Sequence, residues 1–230
     1  MVLRSRGRTL SLNENDNDGC VIMKRTVIRD LMLSIRESGD EEYLRAILFC
    51  FGAPTIMGLK AGSLLNLRRE GTDLCALWEE RGKAWLRSRG VETFSFSDAE
   101  LGRGARGGLL VLLYRRELLS RILNSDGARE ILSPLGYSAS WDVEACLERL
   151  RERFIDGFPH EIGLFLDYPP EDVRGFIRNK GAGSLAVGYW KVYGDVGRAR
   201  RAFRRFRRAE NEAARSLLSG FKFPARTFAS

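Results

Sequence analysis

One histidine and its acidic neighbour are the first residues in this chain whose types could do chemistry. His160 is the only imidazole among the 230 residues, and Glu161 follows it directly, after Pro159. An imidazole beside a carboxylate suits general-base catalysis, and it could also pair with a distant cysteine. The alternative is structural, with the imidazole bonded to the backbone of the next turn. Both interpretations stay open, with His160 and Glu161 as the catalytic candidates.

The residue types predict no metal site and identify no cofactor. A single histidine cannot form a His-rich site, and no two cysteines form a Cys-x-x-Cys pair. Residues 14–19 imitate the start of a calcium-binding EF-hand loop, but Arg25 stands at the twelfth position, where a bidentate carboxylate is needed. We therefore expect free, reduced thiols at the four cysteines, which are Cys20, Cys50, Cys75 and Cys146.

A glycine-rich segment has the spacing of a dinucleotide fingerprint. Residues 102–107 read GRGARG, which matches G-x-G-x-x-G. That fingerprint needs a strand before the glycines and a helix after them, so that the helix N-terminus faces the pyrophosphate. Here the glycines lead into the apolar run Leu109–Tyr114, which is typical of a strand. The segment is therefore predicted to be a flexible loop.

The basic charge of the chain is concentrated in one short segment. The net charge is +8, and residues 197–208 hold seven arginines and no acid. Subtracting these seven charges from +8 leaves +1 for the remainder of the chain. The seven are Arg198, Arg200, Arg201, Arg204, Arg205, Arg207 and Arg208.

The same segment carries an apolar stripe at helical spacing. Its members are Ala199, Ala202, Phe203, Phe206, Ala213 and Leu217. Such a stripe favours docking on the protein's own core, with the arginines left in water. The alternative is an interaction helix that binds nucleic acid or another acidic partner through Arg201, Arg204, Arg205 and Arg208. Because no recognisable nucleic-acid motif is present, we expect nucleic-acid binding to be weak or absent.

The elements that must position these residues indicate an α+β protein. Strands are predicted at 91–96, 109–114 and 184–193, and residues 53–67 lack a helical period and should be extended. The remaining periodic segments predict several helices packed on a small mixed sheet, and the last is the long basic amphipathic helix at 196–219. We expect a flexible tail at 1–20, one domain at 21–219 and a short tail at 220–230.

The chain shows no segment that would place it in or beyond a membrane. No secretory signal opens it, and its longest apolar stretch, Leu109–Tyr114, is far too short to cross a bilayer. A cytoplasmic protein without a membrane partner is expected.

Two stretches resemble a known family. Residues 53–67 read APTIMGLKAGSLLNL, and residues 158–193 read FPHEIGLFLDYPPEDVRGFIRNKGAGSLAVGYWKVY. In this order they resemble an uncharacterised family from mostly anaerobic bacteria, catalogued as domain of unknown function 3793, over roughly residues 42–216. The resemblance implies one family domain with no established activity. It also implies proximity to flavodoxin and ferrous-iron transport genes, and thus a link to iron metabolism.

The chain departs from the family pattern at several positions. The pattern has a His-Cys pair where Phe51 and Gly52 stand, a glycine at Asp167 and a cysteine at Val187. If a thiol or an imidazole does chemistry in the family, this chain lacks it at those positions, which lowers the expectation of catalysis. The residues that match the pattern are Lys60, His160, Glu161, Tyr189, Trp190 and Lys191.

The matching residues suggest a cleft for a small polar or anionic ligand. In this leading hypothesis Lys60 supplies the point charge and the rings of Tyr189 and Trp190 form the walls, with His160, Glu161 and Lys191 beside them. The rival from another class is the interaction helix, and an enzyme with His160 as general base comes third.

The glycine-rich segment gives a first testable prediction. Thermal-shift titration with NAD, FAD and ATP should show no saturable stabilisation that depends on residues 102–107, because the order of elements is wrong for a phosphate-binding turn. A ligand-induced shift that Gly104→Val alone abolishes would contradict this prediction.

Overall fold

The computed structural model describes residues 20–97, 109–137 and 142–220. The glycine-rich segment 102–107, the EF-hand-like run 14–19 and most of the two expected tails lie outside these ranges. Cys20, which was assigned to the first tail, is instead the first residue of helix α1 (Cys20–Ser34). In the three described ranges, no helix combines the length and the apolar character that crossing a bilayer requires.

A three-stranded sheet forms the centre of the fold. It consists of β1 (Gly62–Leu67), β2 (Glu92–Ser97) and β3 (Leu109–Tyr114), in the order β1-β3-β2. Alternate residues of β3 enter different cores: Leu110 and Leu112 belong to one hydrophobic cluster, and Val111 and Leu113 to another. Both faces of β3 are therefore buried, which explains why its sequence is apolar without alternation.

The α+β class is confirmed, and the sheet differs from the expected mixed one. Both pairs in it, β1 with β3 and β2 with β3, are antiparallel. Strands β1 and β2 run in the same direction, but β3 lies between them, so they form no parallel ladder.

Helices cover both faces of the sheet. One cluster includes residues of α6 (Arg116–Leu123), α7 (Asp126–Leu132), α8 (Val143–Arg153), α9 (Ile162–Phe165) and α10 (Pro170–Arg178). The other cluster includes residues of α2 (Asp40–Phe51), α3 (Ala53–Ile56), the π-helical turn Trp78–Gly82 and α5 (Lys83–Arg87), which continue from α4 (Cys75–Leu77). Short 3-10 turns at Ser133–Leu135 and Phe154–Asp156 follow α7 and α8.

The prediction of an extended segment at 53–67 is wrong in its first part. Residues Ala53–Ile56 form the helical turn α3, and only Gly62–Leu67 form a strand. Gly52 has helical dihedral angles (φ −81°, ψ −9°), so the chain continues from α2 into α3, where Pro54 occupies the first turn. Proline at this place starts a second helical turn rather than an extended chain.

The predicted strand 184–193 is a hairpin of two short strands. β4 (Ala186–Val187) pairs antiparallel with β5 (Lys191–Val192). Its position is set by Asp172 of α10, whose buried carboxylate accepts hydrogen bonds from Trp190 Nε1 (2.7 Å) and from the backbone N–H of Tyr193 (2.7 Å) and Gly194 (2.8 Å). One side chain of α10 thus anchors Trp190 and the two residues that follow β5.

The last helix, α11 (Val196–Leu218), agrees closely with its prediction. Asp195 caps its N-terminus by accepting a hydrogen bond from Arg198 N–H (2.9 Å). The stripe is buried at Ala199, Phe203, Phe206 and Ala213 and half-buried at Ala202 and Leu217, while all seven arginines are exposed. The helix packs on α1, α2 and α3, so the prediction that it docks on the protein's own core is confirmed.

The amphipathic division of α11 predicts opposite effects of two substitutions. Phe206→Ala should lower the free energy of unfolding by about 3–5 kcal/mol, because it leaves a cavity between aromatic neighbours. Replacing Arg204, Arg205 and Arg208 together with glutamine should change it by less than about 0.5 kcal/mol per site, since exposed charges contribute little. Urea unfolding measures both, and a larger loss from the arginines than from the phenylalanine would contradict the packing described.

Candidate functional site

Lys60 lies at the centre of a buried polar cluster. The residue is 6% exposed. Its Nζ is 5.6 Å from the ring centroid of Tyr168 and 5.5 Å from that of Phe206. Within the described part of the chain, this ammonium makes no hydrogen bond and no ion pair. Two aromatic faces are therefore its closest favourable contacts, as in a cation–π cage.

Two carboxyl groups share the cluster with Lys60. Burial lowers the pKa of Lys60 to about 8, against the opposing attraction of Asp167 and Glu210. Burial raises the pKa of both carboxyl groups, although each accepts a hydrogen bond. Asp167 accepts from Ala61 N–H at 3.1 Å, and Glu210 from the Tyr189 hydroxyl at 2.7 Å. The lysine charge is thus offset from within the protein, which leaves little positive potential for a small anion.

The loop that carries Lys60 is held from two sides. Arg115, just after β3, donates to the carbonyl oxygens of Thr55 (2.8 Å) and Ile56 at the end of α3. On the other side, the Cα of Gly62 comes so near the Phe165 carbonyl that an added Cβ would lie 2.2 Å from its oxygen. Only glycine permits this approach. It places the turn after α9 directly against the Lys60 loop.

Two departures from the family pattern have structural consequences. Asp167 has φ 59°, in the left-handed region that glycine adopts freely and that aspartate tolerates better than most residues. The aspartate keeps the turn and adds the carboxylate near Lys60. At Gly52, a Cβ would lie 2.3 Å from the Leu48 carbonyl oxygen. A cysteine there would require the end of α2 to shift.

Three of the predicted ligand-binding residues meet at Phe206. Lys60 lies over its ring, and the ring centroids of Tyr189 and Trp190 are 5.4 Å and 6.5 Å from that of Phe206. The polar atoms of the Tyr189 and Trp190 side chains already have partners inside the protein, since Tyr189 bonds Glu210 and Trp190 bonds Asp172.

The other three predicted residues make different contacts. His160 is exposed, and its ring centroid is 5.0 Å from that of Phe176. Lys191 is also exposed, lies 5.8 Å from the same Phe176 centroid and donates to the Gly181 carbonyl at 2.7 Å. Glu161 is buried and accepts from Arg153 Nε (2.8 Å) and the Tyr137 hydroxyl (3.2 Å). Among the described residues, the carboxylate of Glu161 therefore accepts hydrogen bonds from Arg153 and Tyr137 and makes none with His160.

Sequence reasoning missed Glu210 and Asp172, and it treated Asp167 only as a departure. The signal for Glu210 was available: it lies four residues after Phe206, on the arc that points to the core. An acid on the apolar side of an amphipathic helix needs a partner. Asp172, in the first turn of α10, is 3% exposed, and its buried carboxylate has three partners.

The exposed side of α11 carries little compensating charge. Arg198 lies 3.7 Å from Glu171, and Arg208 pairs with Glu212 at 2.8 Å. In the described ranges the other five arginines form no ion pair. We define the arginine face as the three pairs on successive turns, which are Arg200 with Arg201, Arg204 with Arg205, and Arg207 with Arg208.

The two buried cysteines, Cys50 and Cys146, are free thiols, as predicted, while the side chain of Cys20 lies outside the description. Burial raises the pKa of Cys50 to about 12 and that of Cys146 to about 11, so both thiols stay protonated and unreactive at neutral pH. In the same ranges, no three His, Cys, Asp or Glu residues are grouped to hold a metal ion.

A family model described as "Protein of unknown function (DUF3793)" matches residues 48–225, which include the Lys60 cluster and the arginine face. No solved structure matches the chain.

The buried lysine predicts a pH dependence of stability. Its pKa is about 8 in the folded protein against 10.5 for an unperturbed lysine. Between these values the unfolded chain holds the proton that the folded protein has released, so stability should rise with pH. Relative to Lys60→Met, which lacks this ammonium, the free energy of unfolding should grow by up to about 3 kcal/mol. Denaturant unfolding at several pH values between about 8 and 10.5 tests this prediction. If the unfolding free energies of the two proteins change in parallel with pH, Lys60 is not a buried ammonium.

Proposed function

This chain belongs to the DUF3793 family of proteins of unknown function, and we propose that it is a binding protein whose arginine face holds a polyanionic partner. The observation that carries this proposal is the set of five exposed arginines that have no ion pair in the described ranges. Each guanidinium is a planar fork of donors that fits phosphate, sulfate or carboxylate oxygens.

The packing of α11 against the body of the protein also favours this proposal. Phe203 is 7% exposed and Phe206 is 4% exposed, so the helix is anchored along the segment that carries the arginines. A partner would therefore meet charges whose backbone is already ordered, which lowers the entropic cost of binding compared with a flexible basic tail. Because the chain outside residues 197–208 has a net charge of only +1, the segment that carries the arginine face also dominates the long-range attraction of anions.

The small-ligand hypothesis has less support. Asp167 and Glu210 offset the charge of Lys60, and the polar atoms of Tyr189 and Trp190 already have partners inside the protein. A catalytic His160 also has less support, since the partners of Glu161 are Arg153 and Tyr137. His160 and Lys191 remain exposed beside Phe176, but no described acidic partner orients the imidazole.

Retention on immobilised heparin tests the proposal. The protein should bind, and replacement of Arg204, Arg205 and Arg208 with glutamine should lower the salt concentration at which it elutes, because three sulfate contacts are lost. The matched control replaces Arg36, Arg87 and Arg121, which are exposed and lie outside α11. Both variants have a net charge of +5, three less than the original +8.

The control variant distinguishes binding at the arginine face from retention that depends only on net charge. It should elute close to the unmodified protein. Equal shifts for the two variants would show that total charge alone governs retention, and failure of the unmodified protein to bind at low salt would remove the proposal.

A further inference from the structure

We infer that the polyanion is a nucleic-acid duplex, held through its phosphates without reading of the bases. This inference rests on the proposed function and names the partner of the same arginine face. Three properties of α11 carry it: the linear density of its charges, the absence of exposed aromatic rings on it, and the burial of its opposite side.

The charge density of the arginine face matches a duplex. The six arginines lie between residues 200 and 208, and eight helical steps of 1.5 Å give a length of about 12 Å. One positive charge therefore falls about every 2 Å, and a duplex carries one negative charge about every 1.7 Å of its axis, twice the density of one of its strands. An extended acidic peptide presents a side chain to one face only about every 7 Å, because successive side chains alternate. Of these partners, the duplex comes closest to the spacing of the arginines.

No aromatic side chain is available on α11 for stacking. Its only two aromatic residues are Phe203 and Phe206, and both are buried against Trp190 and its neighbours. Proteins that bind single strands without sequence preference usually stack the bases on exposed rings. A duplex keeps its bases stacked internally and offers only phosphates at its outside, which is what arginines alone can hold.

The docking of α11 also argues against reading of the bases. Recognition helices also pack one side on their own domain, but they read base edges with amide and hydroxyl side chains as well as arginine, and the exposed residues between 200 and 208 are all arginine. Here the opposite side of the helix packs on α1, α2 and α3, so only the arginine face is available. The face therefore reaches the phosphates along the groove rather than the base edges, and we expect binding that is independent of sequence.

The face has a defined end. Glu212 is the first exposed acid after the arginines, and it pairs with Arg208. Before the arginines, Glu171 lies beside Arg198. The length of about 12 Å between residues 200 and 208 corresponds to about four base pairs, so roughly four to six phosphates are within its reach.

Fluorescence anisotropy with the full chain tests the inference. The probes are a labelled DNA duplex of about 20 base pairs, one of its strands alone, and polyglutamate, each titrated over a series of salt concentrations. We expect the duplex to bind at least about tenfold more tightly than either other probe, and a duplex of shuffled sequence to bind equally well. The slope of log K against log [salt] should be about −4 to −5.

Substitutions link that slope to the arginine face. Replacing Arg204, Arg205 and Arg208 with glutamine should make the slope shallower by about 2.7, which corresponds to three lost phosphate contacts. The control with Arg36, Arg87 and Arg121 replaced should keep the slope of the unmodified protein.

Different results would overturn different statements. Equal or tighter binding of the single strand or of polyglutamate, lost with the arginine-face variant, would overturn the duplex and leave the proposed function standing. A preference of more than about tenfold between duplex sequences would overturn the absence of base reading. Failure of every polyanion to bind, heparin included, would overturn both the inference and the function it rests on.

Discussion

The architecture around the arginine face depends on one close approach, between Gly62 at the start of β1 and the carbonyl group of Phe165. A side chain at Gly62 would collide with this carbonyl, so the turn after α9 could not reach the sheet. Because it does reach it, Asp167 comes within 3.1 Å of Ala61 N–H, although the two residues are 106 positions apart. Helix α11 then packs on this junction through Phe206 and Glu210. The two segments that carry the family resemblance are thus neighbours for a steric reason.

The Lys60 cluster contributes more to selecting one arrangement of the fold than to its stability. A buried ammonium near two half-buried carboxyl groups gains little net stability, because the desolvation of each charge offsets their attraction. The cluster does select one arrangement: Lys60 comes from the loop before β1, Asp167 from the turn after α9 and Glu210 from α11. A shift of any of these three segments would leave a buried charge without compensation, which is far more costly than losing an exposed ion pair. The cluster therefore favours one seating of α11 on the body of the protein.

This seating is what makes the arginine face more than a basic segment. With one side of α11 held by Phe203, Phe206 and Glu210, its guanidinium groups project from a fixed axis at intervals of a helical turn. Within the described residues, five of the seven arginines of α11 form no ion pair, and the chain outside residues 197–208 has a net charge of +1. In the proposed function, attraction of polyanions and the geometry of their contacts share a single origin, in the amphipathic pattern of one helix.

Features that depend on neighbours along the chain could be predicted from the sequence. The bounds of α11, the burial of its stripe, the buried strand β3 and the concentration of charge all follow from local periodicity and residue type, which act over a few residues. The α+β class follows from the order of these elements. The candidate site was predicted in part, since Lys60, Tyr189 and Trp190 do share contacts at Phe206.

Only the tertiary structure decided the partners of the charged residues. Among the described residues, Glu161 bonds Arg153 and Tyr137 and not the adjacent His160. Asp172 bonds Trp190 and the backbone of Tyr193, and Glu210, two residues after the arginine-rich segment, bonds Tyr189. The sheet is antiparallel rather than mixed for the same reason, whereas the helical turn after Gly52 follows from the local preference of Pro54 for a first helical turn. Pairings of strands and of buried charges are chosen by packing between residues far apart in the sequence, and no local pattern records which of several partners will be nearest.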